Sequence, residues 1–290
     1  MNYKILILSN NKNEEHIEDI YLKNRFEEDG NLVDFKWIDY DSNLDNEYDI
    51  IIRRNTWIEE SQDMEYYKKL NKALINRLRD NQKVINLIGL DGTGKSYLKD
   101  LYYKGLNVIP TTDILKDAFK WDCDSYVLKL KDSFGSGLGQ ILVDKEKLLS
   151  IYSNNYLIQP KLKFISEVQT YFINNKLMYA YEYTPSKYPN YPKPKLIKLT
   201  QEEIKFAEMF SNISDIKIGM KRIDFLRLED NSLILLEIED NSPHMNIEIL
   251  DEKNRNKILN YYVNGIYNYI KELKEGEQLW KKKKVVHLWG

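Results

Sequence analysis

Cysteine is nearly absent. Cys123 stands alone in 290 residues, which excludes an internal disulfide and any multi-cysteine zinc site, and a lone thiol suits a reducing compartment such as the cytoplasm. The three histidines, His16, His244 and His287, are too scattered along the chain to announce a metal site. Excess charge is missing too: 43 basic and 45 acidic residues leave a formal net charge of -2. No long-range positive field therefore gathers nucleic acid or an anionic membrane, and any anion has to be bound locally. Lys281 to Lys284 form a basic run near the end that reads as solvated side chains. No hydrophobic run reaches membrane-spanning length, and the apolar opening Ile5 to Leu8 is too short for a signal-peptide core. Internal repeats and low-complexity blocks are also lacking.

What is present is an ordinary folding composition, 42% hydrophobic and 30% charged, on a chain long enough for two domains or three small lobes. Residues 4–8 form a continuous apolar run of the kind buried on both faces of a sheet, followed by a helix-like segment ending near Gly30. Further strand patterns at 33–38, 48–53 and 83–88, with a helical period over 65–80, predict a doubly wound α/β unit. From Tyr126 onward the texture changes to hairpins. Strands are expected at 126–132, 156–162, around 167–175 and at 176–184, with Asn174-Asn175 as a turn. Pro185, Pro189, Pro192 and Pro194 mark an irregular loop. A helix at 201–212, strands at 220–228 and 232–239, and a helix at 252–274 complete the chain.

Two motifs compete for the chemistry. Gly89-Leu90-Asp91-Gly92-Thr93-Gly94-Lys95-Ser96 fits the phosphate-loop pattern. Its amides would wrap phosphates, with Lys95 on the terminal phosphates and Ser96 on magnesium. The competitor lies at 220–240. Residues two apart on a strand share a face, so Glu237 and Glu239 project together, and Asp224 beside Arg222 lies on the neighbouring strand. Oxygen-only ligands on one face suit Mg²⁺.

The order of these parts resembles the ATP-grasp superfamily, in particular its glutathione synthetase-like and cycloserine-forming ligases. The resemblance rests on Lys95 before a short helix, Val108-Ile109-Pro110, the lysine strand Val127-Leu128-Lys129-Leu130-Lys131, and the glycine loop Phe134-Gly135-Ser136-Gly137-Leu138-Gly139. It continues through Tyr156-Leu157-Ile158-Gln159-Pro160-Lys161-Leu162, Ser166-Glu167, Arg222-Ile223-Asp224 and Glu237-Ile238-Glu239-Asp240-Asn241. It implies an α/β ATP-grasp fold, with a pre-ATP-grasp lobe at 1–110, a small lid lobe at 111–165 and a C-terminal lobe carrying the metal site at 166–290.

In function the resemblance implies an ADP-forming carboxylate-amine ligase using ATP and Mg²⁺, with Mn²⁺ as a substitute ion. Small-molecule or peptide carboxylates and amines are the expected substrates; no nucleic acid or membrane is a partner, and a homodimer is compatible. Residue by residue, it places Lys95, Lys129, Gly135, Ser136, Gly137 and Gly139 on phosphates, Gln159 and Leu162 at adenine, and Glu167 at ribose. Arg222 and Lys95 take the catalytic places, Asp224, Glu237 and Glu239 the metal, and Arg53 and Arg54 the substrate. Gln159 and Glu239 stand where the family more often has Glu and Asn, which leaves Asn241 as a rival last ligand. The alternatives are a P-loop kinase or NTPase using Gly89 to Ser96, and a non-catalytic nucleotide-binding module. Gly89→Ala is expected to cripple a phosphate loop and to spare an ATP-grasp site.

Overall fold

In the computed structural model, residues 2–9, 16–37, 41–54, 64–78, 81–86, 89–91, 94–132, 140–185, 194–240 and 242–287 are described. The first sheet is parallel, with strands β1 (Lys4–Ser9), β2 (Leu32–Trp37), β3 (Ile50–Arg53) and β4 (Val84–Ile85) in the order β2-β1-β3-β4. Its inner strands are apolar on both faces because both are covered. Ile5, Ile7, Ile50 and Ile52 pack towards helix α1 (Ile17–Glu28), while Leu6, Leu8 and Ile51 pack against Leu74 and Leu78 of helix α2 (Met64–Leu78).

The strand expected at 83–88 is cut to two residues, for a local reason. Asn86 adopts φ 59°, outside strand geometry. Its side-chain amide then pairs with the backbone of Met220, donating to the carbonyl at 2.7 Å and accepting from the N–H at 3.0 Å. A side chain thus continues the pairing that the backbone abandons. Residues 87 and 88 lie outside the described residues.

The chain passes through α3 (Tyr97–Tyr103) and α4 (Leu115–Ala118) into a three-stranded antiparallel sheet. Its strands are β5 (Ser125–Leu130), β6 (Ile141–Asp144) and β7 (Tyr156–Pro160), ordered β6-β5-β7, with α5 (Lys145–Ile151) between the last two in sequence. Tyr126, Leu128 and Ile158 form its core with Ala118 and Leu148, which leaves Val127 and Lys129 on the opposite face.

The largest sheet is antiparallel: β8 (Ser166–Ile173), β9 (Lys176–Tyr183), β10 (Lys195–Ile197), β11 (Met220–Arg227) and β12 (Leu233–Glu239), ordered β10-β9-β8-β11-β12. The turn at Asn174-Asn175 closes as expected, both residues at positive φ. Helix α6 (Gln201–Ser211) starts with a reciprocal capping box between Thr200 and Glu203. Lys195, just after Pro194, belongs to β10 and pairs with Glu182.

Packing bears on two of the expected boundaries. Tyr97, Leu98 and Leu101 of α3 pack with Phe172, Phe210 and Phe225, and the Ile109 N–H donates to the Leu235 carbonyl at 3.1 Å. Helix α3 and Ile109 are thus held against the large sheet. Helix α7 (Glu252–His287) runs past 274. Its Ile258, Tyr262 and Ile266 share one core with Leu22 and Phe26 of α1 and with Tyr171 and Tyr181 of the large sheet. The first and third lobes are thereby joined by a common apolar interior. Among the described residues no helix is long and apolar enough to cross a membrane.

Candidate functional site

Alternation in the large sheet sorts its side chains by chemistry. Val168, Phe172, Ile223, Phe225 and Ile238 face the apolar cluster beneath α3 and α6. The other face carries Glu167, Gln169 and Tyr171 on β8, Arg222 and Asp224 on β11, and Glu237 and Glu239 on β12. The register sets Arg222 opposite Glu239 and Asp224 opposite Glu237, with an irregularity just after Asp224. These cross-strand neighbours are close enough to share a ligand. Asp224, Glu237 and Glu239 offer oxygens that all lie within 4.8 Å of one another.

Three cations surround the triad. The Arg222 guanidinium forks onto Asp224, with Nε to Oδ1 and Nη2 to Oδ2 both at 2.8 Å, and also reaches Glu239 at 2.8 Å. Lys95 Nζ lies 3.1 Å from Glu237 and 2.5 Å from Asp91. Lys129, on the free face of β5, brings Nζ to 3.8 Å from Glu237. Only 3% of Lys129 is exposed and its Nζ has no hydrogen-bond partner, an arrangement that is costly unless an acceptor arrives.

Electrostatics divide the three carboxyls. Burial opposes ionisation of Glu237, but Lys95 and Lys129 outweigh it and hold this carboxyl below the ordinary range. Burial pushes Asp224 up to about 6 against the pull of Arg222. It also pushes Glu239 well above the usual carboxylate range, against the pull of Arg222, with Asp224 and Glu237 adding repulsion. Burial also lowers the Lys129 ammonium. The carboxyl groups repel one another while their surroundings supply too little solvation, which is the condition a bound divalent cation relieves. The residues present therefore fit Mg²⁺.

A small apolar patch flanks this polar centre. Ile109, Leu226 and Ile234 cluster there, with Leu162 and Leu236 packed on them. Gln159 is buried on β7 and donates to Thr111 Oγ1 at 2.9 Å. Glu167 accepts from Gln169 at 2.8 Å.

No protein-family model matches the chain, and no curated protein matches its sequence. Solved structures do resemble it along nearly its full length. It is similar to D-cycloserine synthetase DcsG at 16% identity and TM-score 0.69, over 92% of this chain and 99% of that one. It is similar to D-alanine–D-alanine ligase from Bacillus anthracis complexed with ATP at 13% and 0.62, over 95% and 99%. A third is the ATP-grasp ligase PsnB complexed with minimal precursor, Mg and ADP, at 10% and 0.61, over 90% and 97%. The chain has the ATP-grasp fold.

Within the ATP-grasp frame, the described residues of Gly89 to Ser96 bond to the protein itself. The Leu90 and Asp91 N–H groups donate to the Asp240 carboxylate at 2.8 and 2.9 Å. The Gly94 N–H goes to the Asp91 carbonyl at 3.1 Å, and that of Lys95 to the Lys131 carbonyl at 2.7 Å. These amides are already satisfied by protein. The glycines have packing reasons of their own. A Cβ at Gly89 would lie 2.1 Å from the Asp240 carboxylate carbon, and one at Gly94, where φ is +95°, would lie 2.3 Å from the Lys131 carbonyl oxygen. The expectation that an ATP-grasp site would tolerate Gly89→Ala is accordingly wrong, because the methyl group collides with Asp240 whatever the loop binds.

The remaining site residues divide. Arg53 and Arg54 are buried at the end of β3. Arg54 donates to Glu18 and Asp19, each at 2.8 Å, and to the Pro243 carbonyl at 3.0 Å, so its fork is engaged by the protein itself. Gly135, Ser136, Gly137 and Gly139, together with Asn241, Lys187 and Lys193, lie outside the described residues. Sequence reasoning missed Asp91, Asp240 and Tyr97. Asp91 is raised to about 6 by burial against the pull of Lys95. Tyr97 clamps β12 at Ile238, its hydroxyl accepting from the N–H at 2.8 Å. The Asp91-Lys95 spacing of four was the available signal; it was absorbed into the phosphate-loop pattern.

Proposed function

We propose that this protein is an ATP-dependent, ADP-forming ligase that activates a carboxylate for attack by an amine or similar nucleophile. The observation that carries the reading is Lys129. Its buried Nζ, without a hydrogen-bond acceptor, lies 3.8 Å from one member of an oxygen-only triad. A phosphate oxygen would satisfy that donor, and Asp224, Glu237 and Glu239 would hold Mg²⁺, with Mn²⁺ as a substitute. Magnesium, when bound, offsets phosphate charge and draws electron density from the reacting phosphorus.

The chain's own groups do the positioning. Lys95 and Lys129 lie on the phosphate side, and Arg222 steadies negative charge at the transferred group. Gln159 and Leu162 hold the base over the apolar patch, and Glu167 meets the ribose. The loop containing Gly135, Ser136, Gly137 and Gly139 covers the phosphates. A substrate carboxylate oxygen attacks the γ-phosphorus, the bond to the β-phosphate bridging oxygen breaks and ADP leaves. The amine then adds to the acyl carbon, phosphate leaves, and the amine gives up a proton. Arg53 and Arg54 are the substrate-side groups, with Arg54 also bonded to Glu18 and Asp19.

The test is a screen of amino acids, small carboxylates and peptides for ADP release, with hydroxylamine present to trap the activated acid. ADP with phosphate, and a hydroxamate from the true acid, are expected. AMP with pyrophosphate would overturn the mechanism. Nucleotide binding without turnover on any acid would favour a non-catalytic module.

A further inference from the structure

The two histidines that look unrelated in sequence meet in space. His16 and His244 approach edge to face with ring centroids 4.3 Å apart, and each brings Nδ1 close to the same carboxylate. His16 Nδ1 is 3.9 Å and His244 Nδ1 3.8 Å from Glu18 Oε2. One donor atom from each of the three residues lies within 4.8 Å of the others. We propose that His16, Glu18 and His244 form a second metal site, distinct from the carboxylate triad, that takes a zinc-class divalent ion.

Four observations support the assignment. The donor set comes first: two imidazoles and one carboxylate suit Zn²⁺ and its neighbours, whereas the all-oxygen triad suits Mg²⁺. Next, Glu18 is fully buried. Its Oε2 is shared between Arg54 and the Met245 N–H, at 2.8 and 3.0 Å, while its Oε1 has no hydrogen-bond partner. A buried carboxylate oxygen in that state calls for a cation or a donor. Charge is the third. Glu18, Asp19 and Glu248 act on this corner against Arg54, with Arg222 acting more weakly on His244, and a divalent ion adds positive charge beside the buried carboxylates. The last is position: His16 stands at the N-cap of α1, where a short oxygen side chain is usual, and makes no capping bond through its side chain.

Access and geometry are compatible with an ion. The two histidine side chains are 27% and 33% exposed while Glu18 is sealed, so an ion enters from the imidazole side and meets the carboxylate at the bottom. Bonds of about 2.0–2.1 Å put adjacent ligands roughly 3.3 Å apart. The two imidazole-to-Glu18 distances need to close by only about half an ångström, which imidazole rotation supplies. Three protein ligands leave a coordination position open. The ion would tie the start of α1 to the segment that follows β12, and so fix the first lobe against the strand carrying Glu237 and Glu239.

The experiment is zinc titration of the full chain by calorimetry in excess Mg²⁺, comparing the unaltered protein with His16→Ala, His244→Ala and Asp224→Asn. One equivalent is expected in the unaltered and Asp224→Asn proteins, with affinity falling at least about 100-fold in each histidine variant. Saturation should raise the melting temperature by about 5 °C, an increase the histidine variants lose. Cobalt in place of zinc should give the strong visible absorption of a low-coordinate nitrogen-ligated ion, a readout that needs no variant to fold. Absence of stoichiometric zinc in the unaltered protein would overturn the proposal. So would binding abolished by Asp224→Asn yet kept in the histidine variants, or a weak octahedral cobalt spectrum. None of these outcomes depends on ATP turnover, so the ligase reading stands or falls separately.

Discussion

Two arginines, the buried Arg54 and the half-buried Arg222, are each paired with two carboxylates, and they are built for different ends. Arg54 spreads its donors over Glu18, Asp19 and the Pro243 carbonyl, three partners from two lobes. Arg222 points at carboxylates two residues away and on the adjoining strand, beside an ammonium that has no acceptor. The first arrangement joins lobes. The second holds repelling carboxyls in a state that a ligand completes. Burial of charge alone does not distinguish a structural ion pair from a functional one; the partners left unsatisfied do.

The largest expected effect follows on the structural side. Arg54→Met strands Glu18 and Asp19 as buried, uncompensated carboxylates, and breaking such a pair costs about 3–5 kcal/mol. Urea denaturation should show that loss, while any folded fraction keeps its nucleotide affinity. Weakened nucleotide binding at unchanged stability would dissolve the contrast between the two arginines.

The next effect is smaller and of opposite kind. Lys129→Ala should weaken ATP binding by about 1.5–3 kcal/mol, the value of a charge-assisted contact made in a sheltered site. Stability should be retained or rise, because burial already disfavours this ammonium in the free protein. Calorimetric titration with ATP checks the first half and thermal melting the second. Unchanged affinity would remove Lys129 from the nucleotide and the central support from the ligase reading.

How much of this was legible in the sequence follows the same division. Period-two alternation placed Glu237 and Glu239 on one face and Ile238 on the other, and the adjoining strand brought Asp224 beside them, because strand geometry is local and regular. Lys129 was singled out through the family resemblance of its strand. What failed was long-range. Nothing in Gly89 to Ser96 reveals that Asp240, some 150 residues on, fills the place a phosphate would occupy, since the pattern of glycines is the same for either anion. His16 and His244 read as scattered because sequence separation hides a contact made by two lobes closing on each other. In the sequence α3 reads as the next helix of the first unit, and only packing shows that its apolar face meets Phe172 and Phe225.

The smallest effect tests the carboxylate triad through its protons. Burial raises Asp224 to about 6 from an ordinary value of 3.8, so in the ion-free fold this group penalises stability above pH 3.8, increasingly up to about 6, and fully beyond. The penalty disappears on acidification, the reverse of a carboxylate whose pKa is lowered. A divalent ion binds the ionised form and displaces the proton. Magnesium affinity should therefore be flat well above pH 6 if Asp224 alone governs it, and should weaken as pH falls through 6 by up to about tenfold per unit. Glu239, also raised by burial, would add its own slope. Asp224→Asn and Glu239→Gln should each raise the magnesium required by about tenfold and flatten their part of the profile, with folding intact because one repelling charge is gone. Asn241→Ala should be milder. Magnesium-induced thermal shifts at a series of pH values read all of these together. A profile unchanged in both carboxylate variants would reduce the triad to an acidic strand face, and an Asn241 variant more damaging than Glu239→Gln would move the last ligand from the strand to the residue beyond Asp240.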